Sequence, residues 1–253
     1  MRIVLLLALF LGCSAQTVIV KHKVSAAPPA FVSGAYADSG GSTVDHIVSS
    51  SIDTAAGNLV YVIVRIQNYS SVYTITVIDD NSNACTQIGG VITDPNLTIS
   101  AYQLYCKNTP AKTGNHYTAR FYLSGVLAAS AFPSIAVAQF SGLSTSSPLD
   151  QSATGSTNSA SSVTSSAFTT TSAAEVICSG VIQDQYTNAS TPWTTGADNP
   201  PNVAYQIAAG SDGLYHVSAI EYSIVTGIQT SAHASWSISP NKAMAQGVAT
   251  FKQ

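Results

Sequence analysis

Charge is what this sequence has least of. Of 253 residues, 9 are Lys or Arg and 12 are Asp or Glu, 8% in all, with a formal net charge of -3; an ordinary soluble domain carries roughly 25%. So few cations cannot lay down the basic footprint that nucleic acid requires, and long exposed helices held by ion pairs are excluded on the same ground. Glutamate is nearly missing, with Glu175 and Glu221 the only two. A glycosidase needs two convergent carboxylates, so hydrolysis of sugars has few candidate residues. No Gly-x-Ser-x-Gly elbow occurs for a hydrolytic serine. The histidines, His22, His46, His116, His216 and His233, are dispersed, no two of them at metal-ligand spacing. Asp79-Asp80-Asn81-Ser82-Asn83 resembles the start of a calcium loop, but Ala84 and Gly90 stand where the turn glycine and bidentate glutamate belong. A hairpin turn is the better reading, and neither metal nor cofactor is expected.

What is present is a 45% apolar interior under a coat of Ser, Thr, Asn, Gln and Tyr. The stretch Gly57-Asn58-Leu59-Val60-Tyr61-Val62-Ile63-Val64-Arg65-Ile66-Gln67 reads as a central β-strand, β-branched and opened by a Gly-Asn turn signal. Its alternate faces, Val60, Val62, Val64 and Ile66 against Leu59, Tyr61, Ile63 and Arg65, are both apolar, which requires cover on both sides.

Residues 1–15 have the layout of a secretory leader, a positive start and a short apolar run too brief to span a bilayer. Phe10-Leu11-Gly12-Cys13 alternatively resembles a lipoprotein box, with Cys13 as the lipid-bearing residue and its anchor the one expected membrane contact. Either route exports the chain, to the extracellular space or the cell surface. Residues 17–39 then read as an N-terminal arm with a strand candidate at 17–24, and residues 40–253 as the domain. Strand-like runs follow at hairpin spacing, at 43–50, 59–67, 72–78, 98–106, 117–123, 134–140, 175–182, 203–208, 217–225, 232–238 and 243–251, and no window holds a helical period. The expected fold is all-β, an antiparallel two-sheet sandwich of Ig-like or jelly-roll type with about 10–12 strands. Tyr117, Ala119, Phe121 and Leu123 are expected inward with His116, Thr118, Arg120 and Tyr122 outward, and Ala232, Ala234, Trp236 and Ile238 form another inward set. The Ser/Thr-rich run between Leu143 and Ala173 fits either a linker or a loop leading into a polar edge strand, the single-domain reading being preferred.

Gly57-Asn58-Leu59, the Asp79–Asn83 turn, Gln139-Phe140-Ser141-Gly142-Leu143, Pro148-Leu149-Asp150, Ala174-Glu175-Val176-Ile177 and Ala249-Thr250-Phe251-Lys252, in that order, resemble a group of exported bacterial and phage-associated β-sandwich proteins of unknown activity. The resemblance spans roughly residues 40–253 and implies a fold; it brings no catalytic residues. The paired cysteines and the arm depart from the usual pattern.

Outside the leader, Cys85 and Cys106 lie on successive strand candidates and are expected to form a cross-strand disulfide, with Cys178 left as a buried thiol; a pairing that uses Cys178 stays open. Tyr186, Trp193, Asp198 and Asn199 fall in a proline-stiffened loop suited to stacking on and hydrogen-bonding a sugar. The equally simple reading of Trp193 is a cap on the sandwich core. Sequons at Asn68, Asn96 and Asn188 have no consequence behind a bacterial-type leader. These residues describe a non-catalytic exported structural or adhesion module, assembling with copies of itself at the cell surface. The alternatives are a carbohydrate-binding module built on the Trp193 loop and a glycan-active hydrolase built on Glu175 and Glu221 or on two aspartates.

Overall fold

A computed structural model describes residues 27–39, 42–67, 73–96, 98–183, 194–195, 203–209 and 218–253. Among them no helix forms. Eleven strands have six or more residues, matching the expected all-β sandwich. All pairings between strands are antiparallel.

The strand Asn58–Gln67 is buried at every position. It lies between Ser130–Ser141 and Ile99–Thr109 in a central sheet whose edges are Ala30–Asp38 and the short piece Thr86–Gln87. Val60, Val62, Val64 and Ile66 pack with Ile47, Val77, Ala119 and Phe121 of a small outer sheet, formed by Tyr117–Leu123 with His46–Val48, Val126–Leu127 and Thr74–Asp79. Leu59, Tyr61 and Ile63 pack with Val176, Cys178, Ala245, Ala249 and Phe251 of a second large sheet. Its strands run in the order Leu149–Thr164, Ser235–Lys252, Glu175–Gln183, Ser218–Val225, Val203–Ala209. The doubly apolar strand is thus satisfied by a sheet on each side. Arg65 on the second face is fully buried, its Nε donating to the Gln183 carbonyl at 3.0 Å and Nη1 to that of Phe132 at 2.6 Å.

Two small residues set how closely these sheets meet. Gly180 and Gly247 are register partners, and a Cβ on either would stand 3.0 Å from Ile63 or 2.7 Å from Gln103. Gly247 is therefore small because of Gln103 and Ile92 on the facing sheet.

The polar run after Leu143 becomes a sixteen-residue strand, Leu149–Thr164, and both it and its partner Ser235–Lys252 fold back with register shifts near Thr157–Ser162. The returning half lies on the outer face of the second sheet. Phe168, Ala232 and Ala234 cover Ile177, Val225 and Val248, while Val163 and Trp236 cover Val181, Ala219 and Met244. Ser166 N–H donates to the Thr154 carbonyl at 2.9 Å, so the strand partly closes its own edge.

Two boundaries differ from expectation. Ala30–Asp38, assigned to the arm, is a strand paired with Ser130–Ser141. Its Ala, Ser and Gly content hides a strand held by Phe31, which stacks on Tyr222 at 5.0 Å between ring centroids. Leu123, expected inward, is 37% exposed because its strand runs past the edge of the core there.

The Cys85–Cys106 disulfide is formed, with Cα atoms 4.2 Å apart, and Cys178 is a buried free thiol. The bond closes a separation of 21 residues, for which chain entropy in the unfolded state gives about 3 kcal/mol. The double variant Cys85→Ser/Cys106→Ser is expected to lose about 3 kcal/mol relative to the wild-type chain in urea titration; an unchanged midpoint would contradict the estimate. At Gly155 a Cβ would sit 2.3 Å from the Thr164 backbone oxygen, whereas at Gly90 it would meet nothing within 4 Å. Gly155→Ala is expected to destabilise by about 1–3 kcal/mol, and Gly90→Ala by less than about 0.5 kcal/mol, in the same titration.

Candidate functional site

The expected sugar-binding residues Tyr186, Trp193, Asp198 and Asn199, and Cys13 of the leader, lie outside the described residues. Glu175 and Glu221, the candidate hydrolase pair, are both fully buried, because the folded-back ribbon covers the face from which they project. Glu175 pairs with Val225 and Glu221 with Ser179. Four residue steps at about 3.3 Å each separate the glutamates by about 13 Å, beyond the roughly 9.5 Å limit for a pair of carboxyls acting on one glycosidic bond. They do not share a cleft. Asp79 accepts the Asn81 and Asn83 amides at 2.9 and 2.8 Å, which makes the segment an Asx-stabilised turn. Among the described residues no three His, Cys, Asp or Glu side chains gather to hold a metal. Burial pushes the Cys178 thiol well up, away from the thiolate a nucleophile needs.

The described surface concentrates its unusual features on the small outer sheet. Register pairs place Val48, Thr118 and Ile78 in one row, His46, Arg120 and Thr76 in the next, and Leu127, Tyr122 and Thr74 in the third. Their alternates, Ile47, Ala119, Phe121, Ile75 and Val77, fill the core beneath. Alternation thus fixes the face, and Arg120 stands at its centre, with no ionic or hydrogen-bonding partner among the described residues. Asp45, His46, Arg120 and Leu127 line a shallow depression there. His46 Nδ1 lies 2.5 Å from Asp45 Oδ1. Six large apolar side chains are exposed among the described residues, and Val48, Leu123, Val126 and Leu127 on this sheet are four of them. The sequence placed Arg120 and Tyr122 outward; it gave no signal that His46, Val48 and Leu127 would lie beside them, since those neighbours depend on which strands pair.

No protein-family model, curated protein or solved structure matches the chain. The arrangement of its own side chains therefore carries the functional reading.

A second cluster joins three chain segments near the last strand. Asp150 Oδ2 accepts the Thr171 amide at 2.7 Å, and Glu175 Oε1 accepts the next amide, Ser172, at 2.8 Å. Glu175 and Asp150 are close enough to interact electrostatically, Glu175 Oε2 is buried with no hydrogen-bond partner among the described residues, and Lys252 Nζ lies 4.0 Å from Asp150. Burial raises Glu175 above its usual value, and Asp150's charge adds to this. For Asp150 burial acts upward, but hydrogen bonds from Thr171 and the charge of Lys252 hold it below its usual value. Glu175 contributes stability that is present in acid and lost as pH rises through its raised value; Asp150 contributes stability that is lost as pH falls through its lowered one. In a chain with so few acids this pair stands out. The melting temperature is expected to fall as pH rises through Glu175's raised value, and Glu175→Gln, a mimic of the protonated form, to flatten that slope; an equal slope in the variant would contradict the assignment.

Proposed function

We propose that the chain is a non-catalytic structural or adhesion module that works outside the cell, associating with copies of itself at the cell surface. The observation that carries this reading is the gathering of Val48, Leu123, Val126 and Leu127 on one sheet of an otherwise hydroxyl-rich surface. Exposed apolar groups that cluster mark a contact surface, whereas scattered ones need no explanation. A net charge of -3 supports association, since copies repel one another little. The buried Cys85–Cys106 bond is compatible with an oxidising compartment, which supports the export that the leader implies.

The chain enters the domain at Ala27, whose carbonyl accepts Gln253 Nε2 at 2.7 Å. Residues 17–26, read from the sequence as part of an arm, are a second candidate contact for the assembly. Deleting residues 17–26 leaves the Ala30–Asp38 strand in place and separates the arm's contribution from the body's. Sedimentation velocity on the secreted chain is expected to show concentration-dependent association; a monomer at every concentration, with and without residues 17–26, would contradict the proposal. A glycan-array signal from a monomeric chain, lost in Trp193→Ala, would replace it with the carbohydrate-binding reading.

A further inference from the structure

Granting the self-association proposed above, we infer that the exposed face centred on Arg120 is the homotypic contact surface, and that it pairs with a second copy about a two-fold axis. The face is self-complementary in charge. Asp45 and Arg120 line the same depression, yet no ion pair within 4.0 Å joins them, and Asp45 meets His46 instead. In a chain with only 21 charged residues, 9 basic and 12 acidic, two opposite charges left side by side on an apolar-rimmed face are a recognition feature.

Geometry fixes the pairing. The Asp45 carbonyl accepts the Phe121 amide at 3.0 Å, so Asp45 stands in the strand column next to Arg120, one residue beyond the His46–Arg120 row, and its side chain reaches the same depression. A two-fold axis running along the strands, between the His46–Val48 column and the Tyr117–Leu123 column, sets Arg120 over the partner's His46 and one residue step, about 3.3 Å, from the level of the partner's Asp45, within reach of the long arginine side chain, and repeats that contact by symmetry. The same operation lays Leu127 on the partner's Tyr122 and Val48 on the partner's Thr118, covering two of the exposed apolar groups. The two Arg120 side chains are kept apart by the column spacing.

Three strands by three same-face positions span about 10 by 13 Å, well below the roughly 800 Å² per partner of a standard interface. The contact is therefore weak on its own, with dissociation constants of roughly tens to hundreds of micromolar. Many copies held on one surface turn such contacts into strong adhesion.

The test is sedimentation equilibrium on the full mature chain up to about 1 mM, a concentration set by that expected affinity, with Arg120→Asp, Asp45→Arg and Leu127→Lys. All three sites are exposed, and circular dichroism checks that the fold is kept. Each single variant is expected to associate at least about tenfold more weakly, and an equimolar mixture of Arg120→Asp with Asp45→Arg to recover association, because opposite charges face each other again in the mixed pair. Wild-type association that survives all three substitutions overturns this surface and leaves self-association standing. Losses in the single variants with no recovery in the mixture overturn the Asp45–Arg120 pairing. A monomeric wild type overturns both surface and self-association.

Discussion

Water must be kept from both faces of one strand, and the body of the molecule follows from that requirement. Asn58–Gln67 presents Val60, Val62, Val64 and Ile66 to one side and Leu59, Tyr61 and Ile63 to the other. Each face, left exposed, would forfeit roughly 1.5–3 kcal/mol per large side chain. A single covering sheet would satisfy half of this, so a sheet lies on each side. Two of the strand's polar members find partners within the stack: the Tyr61 hydroxyl reaches Gln103 Oε1 and the Gly247 carbonyl, each at 3.3 Å, and Arg65 donates to two backbone carbonyls. Gly180 and Gly247 permit the approach.

Covering the central sheet moves the problem outward, because the second large sheet has an outer face of its own. Ile177, Val181 and Val248 there need cover, and Ser179, Glu221 and Gln246 need polar company. The fold supplies the cover, and partners for Ser179, by doubling back the long ribbon of Leu149–Thr164 and Ser235–Lys252. Trp236 brings its indole N–H to the Ser179 hydroxyl at 2.8 Å, and Gln246 donates to the same oxygen at 2.9 Å. Glu175 is buried as well, which is why its carboxyl is held above its usual value in a protein so poor in charge. Among the described residues no sheet covers the outward face of the small outer sheet, and there Val48, Leu127 and Arg120 gather.

Local chemistry made much of this legible. The β-branched run at 59–67, the Asx turn at Asp79 and the alternation of Tyr117–Leu123 could be read because pattern and turn chemistry act within a few residues. The disulfide was legible because Cys85 and Cys106 flank a short connection. Less legible were features that depend on distant pairing. Ala30–Asp38 is a strand because Ser130–Ser141 offers it a ladder and Tyr222 a stacking partner; its Ala, Ser and Gly content argues otherwise. The burial of Glu175 and Glu221 depends on a ribbon that folds back through polar Ser and Thr residues, whose composition fits a linker equally well. The candidate contact face was half visible: Arg120 and Tyr122 pointed outward by alternation, while His46, Val48 and Leu127 joined them only through strand pairing.

The central claim, that one strand is sealed between two covering sheets, is tested most directly by native-state hydrogen exchange. The amides of residues 59–66 are expected to exchange only through global unfolding, more slowly than those of Thr74–Asp79 in the small outer sheet. Exchange in the central strand as fast as in Thr74–Asp79 would contradict the account.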